Sequence, residues 1–176
     1  MEEFLTDIKT LRERAREIID KGPVIDAYGV DLERVIDVLN QALATELVCV
    51  SRYKRQYFTA EGLNAKSVAE EFLEHASKEE DHADMIAARI RQLGGQPDFT
   101  PDTLIGRSYS SYDSSGEFEA MIREDLVAER MAIASIAEII AWLGTSDTAT
   151  QRMLEEILAT EEEHAEDMLD LLAGIA

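Results

Sequence analysis

Two stretches of the chain decide its fold: Glu79-Glu80-Asp81-His82-Ala83-Asp84 and Glu161-Glu162-Glu163-His164-Ala165-Glu166. Each contains Glu-x-x-His, a spacing that sets a carboxylate and an imidazole one turn apart on the same face of a helix. Each is preceded, at nearly equal separation, by a lone glutamate, Glu46 in the first half and Glu129 in the second. Glu followed by Glu-x-x-His is therefore an internal repeat. The neighbours show where these groups point. One and two turns from Glu46 lie Leu39, Ala42, Leu43, Cys49, Val50 and Tyr53, so Glu46 sits on an apolar face. The same offsets give mainly Phe72, Ala76, Ala83 and Ile86 around Glu79, with His75 and His82. Around Glu129 they give Ile122, Leu126, Ala132, Ile133 and Ile136, with Asp125. Around Glu161 they give Leu154, Ile157, Leu158, Ala165 and Met168, with His164. Four carboxylates on four segments point at one core.

Working outward, the segments carrying these residues repeat their apolar positions every three or four residues, and breakers are few, with 9 Gly and 3 Pro in 176 residues. The chain is predicted to be all-α. A first helix spans about Glu2 to Asp20 and stops at Lys21-Gly22-Pro23. Helix A runs from an Asp31 cap to about Ala60, and helix B from about Asn64 to Leu93 before Gly94-Gly95. Ser114-x-x-Glu117 reads as a capping box opening helix C, which ends at Leu143 before Gly144. Helix D covers about Ser146 to Leu172. The A–B and C–D links are short, so each pair is an antiparallel hairpin. The stretch from Gly94 to Tyr112 shows no long helical period and is long enough, at about 3.3 Å per extended residue, to cross the whole bundle. The domain reading is residues 1–28 as N-terminal helix and linker, and 29–176 as a four-helix bundle.

Composition narrows the function. With 17 Lys and Arg against 37 Asp and Glu, the net charge of −20 repels nucleic acid phosphates and draws in cations. One cysteine, Cys49, excludes an intrachain disulfide and any Cys₄ zinc or rubredoxin-type site. No secretory signal is visible at the start and no apolar run is long enough to span a membrane, so a cytoplasmic protein without membrane contact is expected. Four facing buried carboxylates must be protonated, paired or metal-bound, and no Lys or Arg occupies the surrounding offsets. Two divalent cations cancel four negative charges, and two imidazoles add one nitrogen ligand per metal. Such oxygen-rich ligation suits iron or manganese better than a structural zinc site.

The quoted motifs, with Asn40-Gln41-Ala42-Leu43-Ala44-Thr45-Glu46-Leu47-Val48, Asp125-Leu126-Val127-Ala128-Glu129 and Ile157-Leu158-Ala159-Thr160 ahead of Glu161, resemble the ferritin-like superfamily. The likeness is greatest to bacterioferritin and the Dps-like ferritins, over about residues 31 to 172. This implies a ferritin-like four-helix bundle with one long B–C crossover, here with an extra N-terminal helix. It implies two Fe ions per subunit, with Mn or Zn as other occupants. Glu46 and Glu129 become terminal ligands, Glu79 and Glu161 bridges, and His82 and His164 one nitrogen for each metal. The implied function is a ferroxidase that oxidises Fe(II) with O₂ or H₂O₂ and stores Fe(III) in a homo-oligomeric cage.

Tyr53 matches a tyrosine near the bacterioferritin di-iron centre, with a plain core aromatic as its other reading. Where bacterioferritin has its haem-binding methionine, this chain has Glu80, so haem is not expected. The thioferritin branch carries a cysteine pair beside its metals; the lone Cys49 excludes such a couple and reads as a small core residue. Only twelve residues follow His164. With the N-terminal helix, this favours the 12-mer shell over a 24-mer. Alternatives from other classes are a manganese catalase or di-iron peroxidase without storage, and a Dps-like structural DNA-protection protein. The second wants a Lys-rich tail, and this chain starts Met1-Glu2-Glu3.

Among the remaining polar residues, His75 reads as a hydrogen-bonded core histidine or as a ligand for an incoming ion. Asp125 orients a ligand histidine or accepts a hydrogen bond elsewhere in the core. The acidic runs at Glu155-Glu156 and Glu162-Glu163-Glu166-Asp167 read as solvated faces first and as iron guides second. Arg12, Arg14 and Arg16, and the set Arg52, Lys54 and Arg55, read as partners in ion pairs.

Overall fold

The computed structural model describes residues 6–20, 22–24, 29, 31–60, 65–112 and 117–175. In order, the helices are α1 (Ile8–Glu17), α2 (Leu32–Thr59), α3 (Ala65–Gln92), α4 (Leu104–Arg107), α5 (Phe118–Leu143) and α6 (Thr148–Ile175), with a 3₁₀ turn at Pro101–Thr103. No strand occurs among the described residues. Helices α2, α3, α5 and α6 are the expected A to D, and 28 residues make each of the longest about 42 Å long.

Two apolar layers hold the four helices together. The first includes Leu39 and Leu43 of α2, Ile86 and Ile90 of α3, Ile136 and Ile139 of α5, and Leu154 and Ile157 of α6. The second contains Cys49 and Tyr53, Phe72 and Ala76, Ile122 and Leu126, and Met168. Chain direction follows from the order in which each helix meets the layers. Helices α2 and α6 pass from the first to the second, whereas α3 and α5 pass from the second to the first. Both hairpins are thus antiparallel, and the chain leaving α3 has to travel the length of the bundle before α5 begins.

The crossover makes this journey along α2, which supplies the polar groups that its irregular backbone needs. Asn40 Oδ1 accepts from the Asp98 amide at 2.8 Å, Thr45 Oγ1 accepts from the Tyr109 amide at 2.9 Å, and Arg52 Nη1 donates to the Ser111 carbonyl at 3.3 Å. Arg107 of α4 returns to the Asn40 carbonyl at 3.2 Å. The stretch holds one 3₁₀ turn and a four-residue helix, which the sequence reading leaves as loop; both are shorter than a detectable period.

Local chemistry sets the helix ends. α3 closes with Gly94 at φ +85° and the Gly95 amide donating to the Ile90 carbonyl at 2.9 Å, a Schellman turn. Gly95 is required there, since a Cβ would stand 2.7 Å from the Ile36 side chain. The first helix is shorter than expected. Asp7 accepts from the Lys9 and Thr10 amides and starts α1 at Ile8, and the helix ends at Glu17, ahead of Lys21-Gly22-Pro23. With no buried residue in α1, nothing offsets the cost of extending a short helix. Glu2 to Leu5 lie outside the described residues, as do Asn64 and Ser114. Glu117 is itself the residue capping α5, in extended conformation and without a side-chain cap bond, so it does not fill the third helical position of a capping box. Among the described residues no helix is long and apolar enough to cross a membrane.

The α5–α6 hairpin is tied to α3 by a buried ion pair. Arg89 Nη2 donates to both carboxylate oxygens of Asp147, at 2.8 and 3.1 Å, while Asp147 also accepts from the Thr150 amide at the start of α6. Asp147→Ala removes an N-cap and strands a buried guanidinium, a loss of about 3–5 kcal/mol. In a chain of this size the melting midpoint falls by roughly 10 °C. Thermal unfolding followed by circular dichroism checks this, and an unchanged midpoint would show the pair to be dispensable.

Candidate metal centre

Between the two apolar layers lie all six singled-out residues: Glu46 on α2, Glu79 and His82 on α3, Glu129 on α5, Glu161 and His164 on α6. None is more than 5% exposed. His82 Nδ1 lies 2.9 Å from Glu161 Oε1, 3.5 Å from Glu46 Oε2 and 3.9 Å from Glu79 Oε2. His164 Nδ1 lies 3.2 Å from Glu79 Oε1 and 3.8 Å from Glu161 Oε2. Glu79 and Glu161 therefore each reach both imidazoles.

The donor atoms form two overlapping groups. Glu46, Glu79, His82 and Glu161 make one, and Glu79, Glu129, Glu161 and His164 the other, each within 4.8 Å. Glu79 and Glu161 belong to both. Buried atoms left without a hydrogen-bond partner include Glu46 Oε2, Glu79 Oε1, Glu129 Oε2, both oxygens of Glu161, and Nδ1 of His82 and His164. Unsatisfied buried polar atoms are rare, and seven of them gathered in two overlapping donor groups fit metal ions.

Protonation shows how strained the group is. Burial, followed by the charge of Glu161, pushes Glu46 up to about 8. Burial raises Glu79 and Glu129 well above the usual carboxylate range, with neighbouring glutamates adding to the effect. Burial acts the same way on Glu161, but the imidazoles of His164 and His82 close to it overcome this and hold that carboxylate ionised. Burial opposes charging His164, yet Glu161 and Glu79 raise it to about 9.

Around the centre, the tyrosine hydroxyl of Tyr53 donates to Glu129 Oε1. Asp125 takes the second of its expected roles: its Oδ1 accepts from Gln56 Nε2 at 2.9 Å and pairs with Arg52 Nε at 3.0 Å. Arg52 and Lys54 are ion-paired as expected, Lys54 with Glu80 at 3.1 Å. Cys49 is buried in the second layer, its thiol pushed up by burial and then by Glu79. His75 stacks on His164 with ring centroids 3.9 Å apart, and its Nε2 lies 3.3 Å from Asp167. Burial and then His164 hold His75 down at about 4. The pairings of Gln56 with Asp125 and of Asp167 with His75 escape the sequence reading; each joins helices of different hairpins, where spacing along the chain gives no signal.

The Ferritin family model, a ferritin-like domain, matches residues 36–176. The chain belongs to the ferritin-like family. A dodecameric thioferritin, the bacterioferritin-related protein of Bacteroides fragilis, has a similar structure with TM-score 0.80 and 32% identity, covering 93% of this ferritin-like chain and 94% of that one. A bacterioferritin of Brucella melitensis is 32% identical over 81% of this chain and 86% of its own. A nutrient stress-induced DNA-binding protein of Synechococcus is 29% identical over 80% of this chain and 81% of its own.

Since Glu46 and His164 hold protons up to about pH 8 and 9, a divalent ion must displace them. Co(II) affinity is expected to rise by at least about tenfold per pH unit between pH 6 and 8, with protons released into weakly buffered solution. Calorimetry in buffers of different ionisation enthalpy measures both. An affinity independent of pH would contradict the proton competition.

Proposed function

We propose that this ferritin-like protein is a cytoplasmic ferroxidase and iron store. The observation that carries this reading is that Glu79 and Glu161 each reach both imidazoles, within two overlapping donor groups. Glu79 and Glu161 would bridge, Glu46 with His82 would complete one position, and Glu129 with His164 the other. Four carboxylates neutralise two Fe(II) substrate ions, and the imidazoles supply nitrogen donors suited to iron.

The residues contribute position and dryness. The apolar layers on either side exclude water, and Tyr53 fixes the orientation of Glu129. Each Fe(II) gives up one electron. O₂ takes two electrons and two protons to become H₂O₂, or H₂O₂ takes two of each to become two waters. Delivering the electrons as a pair avoids a free radical.

A store needs a shell, and the B. fragilis relative, similar over nearly its full length, is a dodecamer. We infer a 12-mer here, with no haem, because Glu80 offers no thioether. The DNA-binding Synechococcus relative does not carry its role over to a chain with net charge −20.

Anaerobic Fe(II) titration, then O₂ or H₂O₂, tests the reading. Glu79→Ala or Glu161→Ala is expected to abolish rapid oxidation while leaving a folded protein, since the apolar layers on either side, and not the carboxyls between them, hold the bundle together. Oxidation at the unmodified rate in either variant would overturn the site. Light scattering is expected to give a mass near twelve times 19.7 kDa. A stable monomer or dimer would remove storage, and a 24-mer would change only the shell size.

A further inference from the structure

Outside the six residues, one more group of ligand-type side chains lies between α3 and α6. Glu71, His75 and Asp167 bring their donor atoms within 4.8 Å of one another. His75 Nε2 stands 3.3 Å from Asp167 Oδ2 and 3.6 Å from Glu71 Oε1. The group lines a cavity of about 100 Å³ whose wall also carries Glu74, Glu163 and Lys78, with His75 and His164 at its inner side. Four carboxylates against one ammonium make this a negative recess. The carboxylates are accessible, Asp167 at 47% and Glu71 at 36% of their side chains. His75 is 1% exposed, lines the recess, and leaves its Nδ1 without a hydrogen-bond partner.

The recess leads inward. A ring nitrogen of His75 also lies within 4.8 Å of donor atoms of Glu129 and His164. His75 thus faces accessible carboxylates on one side and the buried donors on the other. The internal repeat supplies a control for whether this polarity is incidental. The positions equivalent to Glu71, His75 and Asp167 in the other half are Met153, Ile157 and Met85. All three pack in or against the first apolar layer. The same backbone positions are apolar at one end of the centre and ligand-bearing at the other, so the fold does not demand the polar set.

We propose that Glu71, His75 and Asp167 form a third divalent-cation site, which captures Fe(II) from solvent and passes it along the stacked His75 and His164 to the centre. It rests on the ferroxidase reading above for the destination of the ion. Two carboxylates and one imidazole, the remaining positions filled by water, hold a divalent ion weakly enough to release it.

The test uses the full-length assembly and Co(II), which binds without being oxidised, counted by anaerobic equilibrium dialysis with metal analysis. The unmodified protein is expected to bind three Co(II) per chain, the third more weakly, and the Glu71→Gln, Asp167→Asn double variant two. Both substitutions are at accessible side chains, and retention of the first two ions reports an intact centre. Stopped-flow oxidation of sub-stoichiometric Fe(II) is expected to slow roughly tenfold in the variant. Equal Co(II) stoichiometry in the two proteins, or an unchanged oxidation rate, overturns the capture site while leaving the centre standing. Failure of the unmodified protein to bind the first two ions would instead overturn the reading of the centre, and this inference with it; their loss in the variant alone would overturn the assignment of Glu71 and Asp167 to a separate site.

Discussion

Four carboxylates sharing one dry space is the constraint on which the rest of the bundle depends. Glu46, Glu79, Glu129 and Glu161 come from four helices, so their approach is created only when all four helices pack. That packing is driven by the apolar layers on either side, which gain stability from burial while the centre between them opposes assembly. Without metal, the conflict is relieved by protons. Three carboxyls are raised by burial, and the fourth, Glu161, stays ionised against the imidazoles of His82 and His164. The arrangement that makes protons necessary also makes them exchangeable for cations.

The surrounding polar residues keep the centre available for that exchange. Arg52 is 1% exposed and close enough to matter, yet it pairs with Asp125 and also donates to the crossover carbonyl of Ser111. A guanidinium committed in this way does not neutralise the glutamates. The long connection therefore does more than span the bundle: it takes up part of the hydrogen-bonding capacity of a buried cation, and Asp125 takes up its charge. Gln56, bound to the same carboxylate oxygen, fixes the pair from one turn further along α2.

How far this was legible in the sequence follows from the range of each interaction. The four long helices announce themselves through apolar periodicity, and the six residues through a repeat whose members all fall on apolar faces; both signals are local. The shortness of α1 was not legible, because periodicity cannot report that none of its described residues is buried. Arg89 carries no motif in the sequence and lies in the last turn of α3, where a basic residue suits a helix C-terminus. Its pairing with Asp147 depends on how α6 is set against α3, which spacing does not encode. Likewise His75 could be placed on the face of Glu79, but the accessible carboxylates beside it, Glu71 and Asp167, acquire meaning only once α3 and α6 are side by side.

The repeat is symmetric in its ligand-type residues and asymmetric around them, and the asymmetry has one sense. Tyr53, Asp125 and His75 lie on the side of the second apolar layer; their counterparts by repeat position, Ile136, Ala42 and Ile157, are all buried apolar residues. A twofold-related pair of metal positions would be chemically equivalent if the surroundings followed the repeat. They do not: Glu129 carries the Tyr53 hydrogen bond and His164 carries the His75 stack, whereas the repeat positions that would serve Glu46 and His82 in the same way hold Ile136 and Ile157. On the proposed reading, the position completed by Glu129 and His164 is the one in contact with the outside, and the position completed by Glu46 and His82 is reached through it. On the same reading, the repeat of the hairpin accounts for two positions, and the one-sided polar layer accounts for filling a buried pair from a single end without opening the apolar layer at the other.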